Sequence, residues 1–274
     1  MAQSDMPLAI CPLASGSKGN AYYLEQGGVS ILVDVGLSFK QLSLRLELIG
    51  RSINDIDHVF ITHEHNDHAK ALAVLTKKIK PTIWASRGTL RCLRGVLAEG
   101  SKVRMMNGNA ESAGGITVNA LSVNHDASDP LAYRFDSPSG SVAVVTDLGK
   151  WGKETVEFVN KVDIIVCESN HDPDMLQRGP YPFYLKQRIT SQKGHLNNEE
   201  SAMLVLEAVK SGTKHVVLAH LSESNNSPSL AIDVVRNILE TQELFPEIFI
   251  AQQDEPGPWV KVKRKKSQRN SINS

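Results

Sequence analysis

The sequence predicts an α/β fold of stacked layers in a single domain. Three observations carry that expectation. Short β-type runs alternate with helical stretches along the chain, strands crowd its first half before helices join them, and no low-complexity linker or internal repeat divides the 274 residues. A content of 41% hydrophobic and 22% charged residues suits a soluble globular protein with a real core.

Strands at 8–14, 21–26 and 30–35 come first, built of β-branched and aromatic residues and bounded by Gly, Asn or Pro. Gln26-Gly27-Gly28 between the second and third is a tight hairpin signal. A helix over 39–49 follows, with Phe39, Leu42, Leu46 and Ile49 on one stripe and Gly50 as its stop. Strands at 59–62, 82–85, 103–106, 116–123, 132–135, 141–146 and 164–168 continue the pattern. A helix over 198–210 opens after the cap Asn197 and closes at Gly212, with Ala202, Val205, Leu206 and Val209 on its apolar stripe. A strand at 215–219 and a helix over 229–244, with Ile232, Val235 and Ile238 on one side, follow it. Strands at 248–252 and 259–262 end the pattern. One domain is drawn over 1–260, and 261–274 is read as a basic, polar, frayed tail.

Thirty basic residues balance thirty acidic ones, which excludes a globally basic nucleic-acid binder and leaves room only for a local basic patch. Cys11, Cys92 and Cys167 are odd in number and lack CxxC spacing. They exclude a disulfide scaffold and a cysteine-rich zinc site, and they favour a reducing compartment, so a cytoplasmic location is expected. No apolar run is long enough for a bilayer, so no membrane partner is expected. The opening MAQSDMPLAICPLA has no Lys or Arg and does not read as a signal peptide.

The chemistry concentrates in HVFITHEHNDH, residues 58–68, where a strand runs into a loop carrying His63, His65, Asp67 and His68. Four metal-competent side chains within six residues are too dense for core histidines. In an extended loop the i, i+2 spacing can direct His63 and His65 to one ion, with Asp67 and His68 offset towards a second. Two divalent ions about 3.5–4 Å apart can clamp an attacking nucleophile and a phosphoryl oxygen. Imidazole suits zinc, and carboxylates widen the choice to manganese and iron.

This HxHxDH segment resembles the metallo-β-lactamase superfamily of hydrolases, whose other motifs follow in order over 8–221: Asp34 in ILVD, His125 in VNHDASDP, Asp147 in VAVVTDLG and His220 in HVVLAHLS. The resemblance implies a four-layer αββα sandwich with a dinuclear metal site along one edge. It implies His63, His65, His125 and Asp147 on one ion, and Asp67, His68, Asp147 and His220 on the other, with Asp34 orienting the ligand loop. His65 is not acidic, which departs from the oxygen-reducing di-iron branch and favours hydrolysis.

VDIIVCESNHDPDML resembles the Glu-containing segment of the RNase Z-like phosphodiesterases. By that resemblance Glu168 would support His195, in QKGHLNNEESA, at the scissile phosphate. Asp67 and Asp147 would orient the nucleophile. The plainer alternatives are a surface loop histidine and a strand-end carboxylate with a structural partner. The overall likeness is greatest to the YycJ (WalJ or VicX) group of single-domain bacterial members. It is carried by LASGSKGNAYYL, LVDVGLSFKQL, ITHEHNDH, TDLG, CESNHD, GHLNN and AHLSESNNSP. It implies a nuclease, a 5′→3′ exonuclease with DNA rather than RNA as substrate, and two divalent ions, zinc or manganese with iron as a third candidate. The rivals are a small-molecule phosphodiesterase or other metal-dependent hydrolase, and a non-catalytic regulatory protein. The interval from Asp147 to His220 leaves little room for the extra domain of the two-domain nucleases.

Several residues stay open. The loop of Ser15, Gly16, Ser17, Gly19 and Asn20 reads either as a phosphate-facing backbone loop or as a plain turn. His171 reads as a cleft residue or a satisfied loop histidine, His58 and His215 as structural, and Asn225 and Asn226 as cleft-lining residues or, more simply, part of a helix-leading loop. Lys261, Lys263, Arg264, Lys265, Lys266 and Arg269 read as a phosphate contact or as a solubilising tail.

Overall fold

The computed structural model describes residues 7–262. Its strands are β1 (Ala9–Ala14), β2 (Ala21–Gln26), β3 (Val29–Val33), β4 (His58–Phe60), β5 (Thr82–Ser86), β6 (Lys102–Met106) and β7 (Glu111–Ala113), then β8 (Ile116–Ser122), β9 (Leu131–Ser137), β10 (Gly140–Val145), β11 (Ile164–Glu168), β12 (His215–Ala219), β13 (Glu247–Ile250) and β14 (Val260–Lys261). They pair into two seven-stranded sheets, ordered β14-β1-β2-β3-β4-β5-β6 and β13-β12-β11-β10-β9-β8-β7. In each sheet an antiparallel part passes into a parallel one: β3 to β6 run together, and so do β10 to β13.

Parallel strands need crossovers, and helices supply them. These are α1 (Phe39–Leu48), α2 (Asn66–Ala69), α3 (Leu72–Lys78) and α4 (Arg87–Leu93) on the first sheet. On the second come α5 (Lys153–Val159), α6 (Pro173–Arg178), α7 (Phe183–Ile189), α8 (Asn198–Lys210) and α9 (Pro228–Glu240). Ser38, Asn197 and Ser227 cap α1, α8 and α9, and Glu200 closes a capping box with Asn197.

The parallel strands are buried on both faces, so alternate residues enter different cores. Val33, Phe60, Val166 and Val217 pack between the sheets. Their neighbours Leu32 and Val59 pack under α1 and α3, while Ile165 and Val216 pack under α8 and α9. The layers therefore run helix, sheet, sheet, helix, which is the αββα sandwich expected. Phe60 anchors the middle, stacked on Trp84 at 5.4 Å and edge-on to Tyr133 and Phe135, both at 5.2 Å.

The differences from the sequence reading are local. Six helices of four to seven residues, α2 to α7, fall below the length at which a 3.6-residue period shows. The final helix stops at Glu240 rather than 244, because Glu243 turns left-handed at φ 55°. The boundary at 260 falls inside β14: Lys261 pairs with Ala9, and the Val262 N–H donates to Leu8 O at 3.0 Å. From Lys263 onward the basic run lies outside the described residues. No helix among the described residues is long and apolar enough to cross a membrane.

Candidate metal centre and active site

Strand ends on one edge of the sandwich hold the candidate residues. Asp34 follows β3, His63 and His65 follow β4, Asp147 lies just beyond β10, Glu168 ends β11, and His220 follows β12. This is the carboxyl edge of the parallel strands, where open α/β sheets form their crevices. Asp34, Asp147 and His220 are left-handed at φ 60°, 55° and 55°. Each costs on the order of 1–3 kcal/mol for a non-glycine residue, and each reverses the chain so that the side chain turns into the site. Asp67 and His68 sit in the single turn α2 rather than in an extended loop. Gly36 clamps that turn, because a Cβ there would lie 1.6 Å from Asp67 O. The Val35 N–H donates to His68 O and the Asn20 N–H to Asp67 O, both at 2.8 Å.

The structure brings all seven sequence-derived ligand candidates together. Nitrogens of His63, His65 and His125 lie within 4.8 Å of one another, and so do ligand atoms of Asp67, His68 and His220. Asp147 stands between the groups, with Oδ2 3.3 Å from His68 Nε2 and Oδ1 3.9 Å from His125 Nε2. Four rings have their second nitrogen already engaged. His68 Nδ1 donates to Asp34 Oδ2 at 2.8 Å, His220 Nδ1 to Glu168 Oε1 at 2.9 Å, and His125 Nδ1 to Gly194 O at 3.2 Å. His63 Nδ1 donates at 3.0 Å to Thr62 Oγ1, whose own proton goes to Asp34. These bonds select the tautomer that leaves Nε2 as the ligand lone pair.

The cluster fits divalent cations. Asp147 Oδ2 and His220 Nε2 are buried without a hydrogen-bond partner. Asp34, Asp67, Asp147 and Glu168 form ion pairs only with histidines, and among the described residues no Lys or Arg lies within ion-pair distance of any of them. Buried charge of one sign is costly unless offset. Burial would lower the His220 imidazole, yet Asp147, Asp67 and Glu168 push it up to about 10. Burial would raise the Asp147 carboxyl, but His220, His68, His63 and His125 hold it well below its ordinary range.

Glu168 does not compete as a ligand, because its acceptors are taken. Oε1 accepts from His195 Nδ1 at 2.7 Å and from His220 Nδ1, while Oε2 accepts the N–H groups of Leu148 at 2.9 Å and Leu196 at 3.2 Å. It is fully buried; burial would raise its carboxyl, but the two histidines hold it at about 2. The same carboxylate thus aims one histidine at the candidate ligand cluster and another, His195, at the cleft. His195 Nδ1 is 3.7 Å from Asp147 Oδ1, and Nε2 remains free.

That cleft is about 280 Å³ and is lined by His65, Asp67, Asp126 and His195. Its outer wall is α7, through Leu185, Arg188 and Ile189. Sequence reading missed this wall. The available signal is an acid-free stretch, 175–198, carrying Arg178, Lys186, Arg188 and Lys193. Arg188 Nε donates to Asp126 Oδ2, next to His125. Gly194 lets the chain pass the end of α7, since a Cβ would lie 2.0 Å from Ile189 O.

The open residues resolve into supports. Ser17 lines the cleft, while Ser15 Oγ accepts the His220 N–H at 2.7 Å and the Asn20 amide lies 3.1 Å from His68 Nε2. Asn226 is a buried brace, donating to Ser169 O and Asn198 Oδ1, both at 2.8 Å. His171 is buried behind the site, where burial lowers it to about 4. His58 accepts the Trp84 Nε1–H at 3.2 Å, and His215 packs against Phe249.

An αββα sandwich whose strand-end edge gathers histidines and carboxylates around a cleft is the architecture of a metal-dependent hydrolase. Residues 30–221 match the family described as Beta-lactamase superfamily domain, and the chain belongs to that superfamily. It is 36% identical over 238 residues to the exodeoxyribonuclease YycJ of Bacillus anthracis, covering 86% of this chain and 90% of that protein. It is also 36% identical over 237 residues to the exodeoxyribonuclease WalJ of Streptococcus pneumoniae, covering 85% and 88%. Among solved structures, the metallo-β-lactamase fold protein YhfI from Bacillus subtilis superposes with a TM-score of 0.72 at 20% identity, covering 93% of this chain and all of that one. At that identity the superposition speaks for the fold alone. The fold implies divalent metal ions.

Proposed function

We propose that this chain is a dinuclear-metal phosphodiesterase that degrades DNA, an exonuclease working in the 5′→3′ direction. The observation that carries the reading is the Glu168 carboxylate, which fixes His195 beside the ligand cluster at the mouth of a cleft whose wall carries Arg188. The exodeoxyribonuclease names of the two relatives support it.

His63, His65 and His125 would hold one ion, and Asp67, His68 and His220 the other, with Asp147 shared. Zinc or manganese suits this mixed imidazole and carboxylate set, with iron as a third candidate. Bound ions would acidify water and polarise a phosphoryl oxygen. Asp67 and Asp147 orient the attacking water by accepting its hydrogens. Glu168 holds the proton of His195 on Nδ1, so Nε2 faces the leaving side. When protonated there, it offsets charge growing on the phosphoryl group or passes its proton to the departing oxygen. Arg188, tethered through Nε, keeps its terminal nitrogens for the phosphate. Reduced thiols and the intact polar site suit the cytoplasm.

The test is a parallel assay of purified protein reconstituted with zinc or manganese. The substrates are 5′-labelled single- and double-stranded DNA, RNA and bis(p-nitrophenyl) phosphate. Release of 5′ nucleotides from DNA, slowed roughly 10²–10³-fold in His195→Ala with metals retained, is the expected result. Hydrolysis of the small diester without attack on any polymer would replace the nuclease with a small-molecule phosphodiesterase. No hydrolysis by fully loaded protein would favour a regulatory role.

A further inference from the structure

The described residues contain ten arginines. Six of them bond to a carboxylate or a carbonyl: Arg45, Arg51, Arg134, Arg178, Arg188 and Arg236. The other four, Arg87, Arg91, Arg94 and Arg104, make no ion pair or side-chain hydrogen bond with any described residue. All four lie on α4, its C-cap and the neighbouring edge strand β6, and all four are exposed. The bias extends further along the chain. From His68 to Ala110 there are nine Lys and Arg residues and one acid, Glu99, in a protein of zero net charge. An exposed stripe with no internal partner suits an external anion.

Arg87, Arg91 and Arg94 follow an i, i+4, i+7 pattern, so they share one helix face. The stripe begins at the catalytic edge. Helix α4 leaves the carboxyl end of β5, which is parallel to β4 and its His63 loop. The Gly88 N–H donates to Asp129 Oδ2 at 3.1 Å, and the Ser128 N–H donates to Glu64 Oε1 at 2.8 Å. The loop carrying His125 is thus stitched to α4 on one side and, through Arg188 and Asp126, to the cleft wall on the other. Beyond Arg87 the arginines lead away from the site above an apolar floor of Leu90, Leu97, Val103 and Met105.

We propose that this face docks the phosphate backbone of the DNA substrate, which runs from the cleft over the His125 loop onto Arg87, Arg91 and Arg94. Seven residues of helix rise roughly 10 Å. A DNA strand carries one charge about every 3.4 Å along its axis, so the stripe matches about three successive phosphates. Guanidinium forks grip such oxygens two at a time. The inference rests on the nuclease reading, and its test separates the two.

The experiment compares the full, metal-loaded chain with the triple variant Arg87→Ala/Arg91→Ala/Arg94→Ala and with the matching triple Lys variant. Binding of a fluorescein-labelled 30-mer, single-stranded and duplex, is followed by anisotropy across a salt series, alongside hydrolysis of bis(p-nitrophenyl) phosphate. The Ala variant should lose about 2.1 from the slope of log K against log salt on single strands and about 2.7 on duplex, at 0.7 and 0.9 per phosphate. It should keep its rate on the small diester, which is too short to reach α4. The Lys variant should keep the slope. An unchanged slope in the Ala variant, with DNA still bound and digested, overturns the docking face alone. A wild-type protein that binds no DNA even at low salt overturns both readings.

Discussion

Glu168→Gln is the sharpest perturbation of this site, because it preserves shape and removes one property. The carboxylate accepts four hydrogen bonds at 2.7, 2.9, 2.9 and 3.2 Å and donates none. An amide has one accepting end and one donating end. If its oxygen faces Leu148 and Leu196, its NH2 meets two Nδ1–H groups. Both rings must then move their proton to Nε2, and His220 loses the lone pair it would offer a metal. If the oxygen faces the rings, the NH2 meets two backbone N–H groups, and both are left unsatisfied in a fully buried position. Each stranded donor costs about 1–3 kcal/mol, so the second arrangement destabilises the fold by roughly 2–6 kcal/mol. The first costs metal affinity about 10–100-fold, the usual effect of removing a partner that orients a ligand. The assay is metal content by elemental analysis after dialysis against buffered free zinc, with thermal unfolding in parallel. Diester hydrolysis at saturating metal then isolates the loss at His195. A Gln variant with wild-type metal affinity, melting temperature and rate would refute the reasoning, since neither arrangement of the amide could be harmless.

His195→Ala should keep its metals and slow diester cleavage by roughly 10²–10³-fold, whereas His63→Ala should lose metal and activity together; equal metal loss in both would make His195 a ligand. Asp147→Ala removes the shared carboxylate and should bind at least one ion fewer, so a full complement by elemental analysis would count against a bridge. Gly36→Ala replaces no candidate ligand yet forces the Asp67 backbone away, and it should weaken metal binding while the sheets stay folded by circular dichroism. Phe60→Ala should cost about 3–5 kcal/mol in denaturant unfolding, because it empties the aromatic centre between the sheets.

The strand-rich layered fold was legible because its signals are local. Doubly buried strands such as Ile164–Glu168 and His215–Ala219 read as short apolar runs, and turns mark their ends. The candidate metal cluster was legible for a related reason. His63, His65, Asp67 and His68 sit within one short segment, while Asp34, Asp147 and His220 each fall at the end of such a run. What stayed hidden depends on pairing across the fold. No spacing announces that Glu168 serves His220 as well as His195, since those residues are 52 and 27 positions away. The cleft wall α7 and the arginine-bearing α4 are seven residues each, too short for a period to emerge. Their charge bias was visible only as an absence of acids, which composition over the whole chain cancels to zero.

The backbone at Asp34, Asp147 and His220 links the fold to its chemistry. A right-handed continuation from β3, β10 or β12 would carry the next side chain along the edge and away from the neighbouring strands. The left-handed turn at each position instead points it across the edge, so that three strands from two sheets converge on one small volume. Only five non-glycine residues among those described are left-handed, and three of them are these. The strain, on the order of 1–3 kcal/mol each, persists because both flanks are fixed. The buried strand holds one side, helped at His220 by Ser15 Oγ, which accepts the His220 N–H; on the other side the Val35 N–H donates to His68 O, the Leu148 N–H donates to Glu168, and the Asn170 amide donates to His220 O. Substituting glycine there would relieve the strain and at once remove a candidate ligand or, at Asp34, the carboxylate that orients one, so the test is to relax the flank instead. Ser15→Ala leaves every candidate ligand in place but removes the acceptor from the His220 N–H. Metal affinity should fall with the fold intact, and if it does not, the strand and the Asn170 amide hold the strained turn without Ser15.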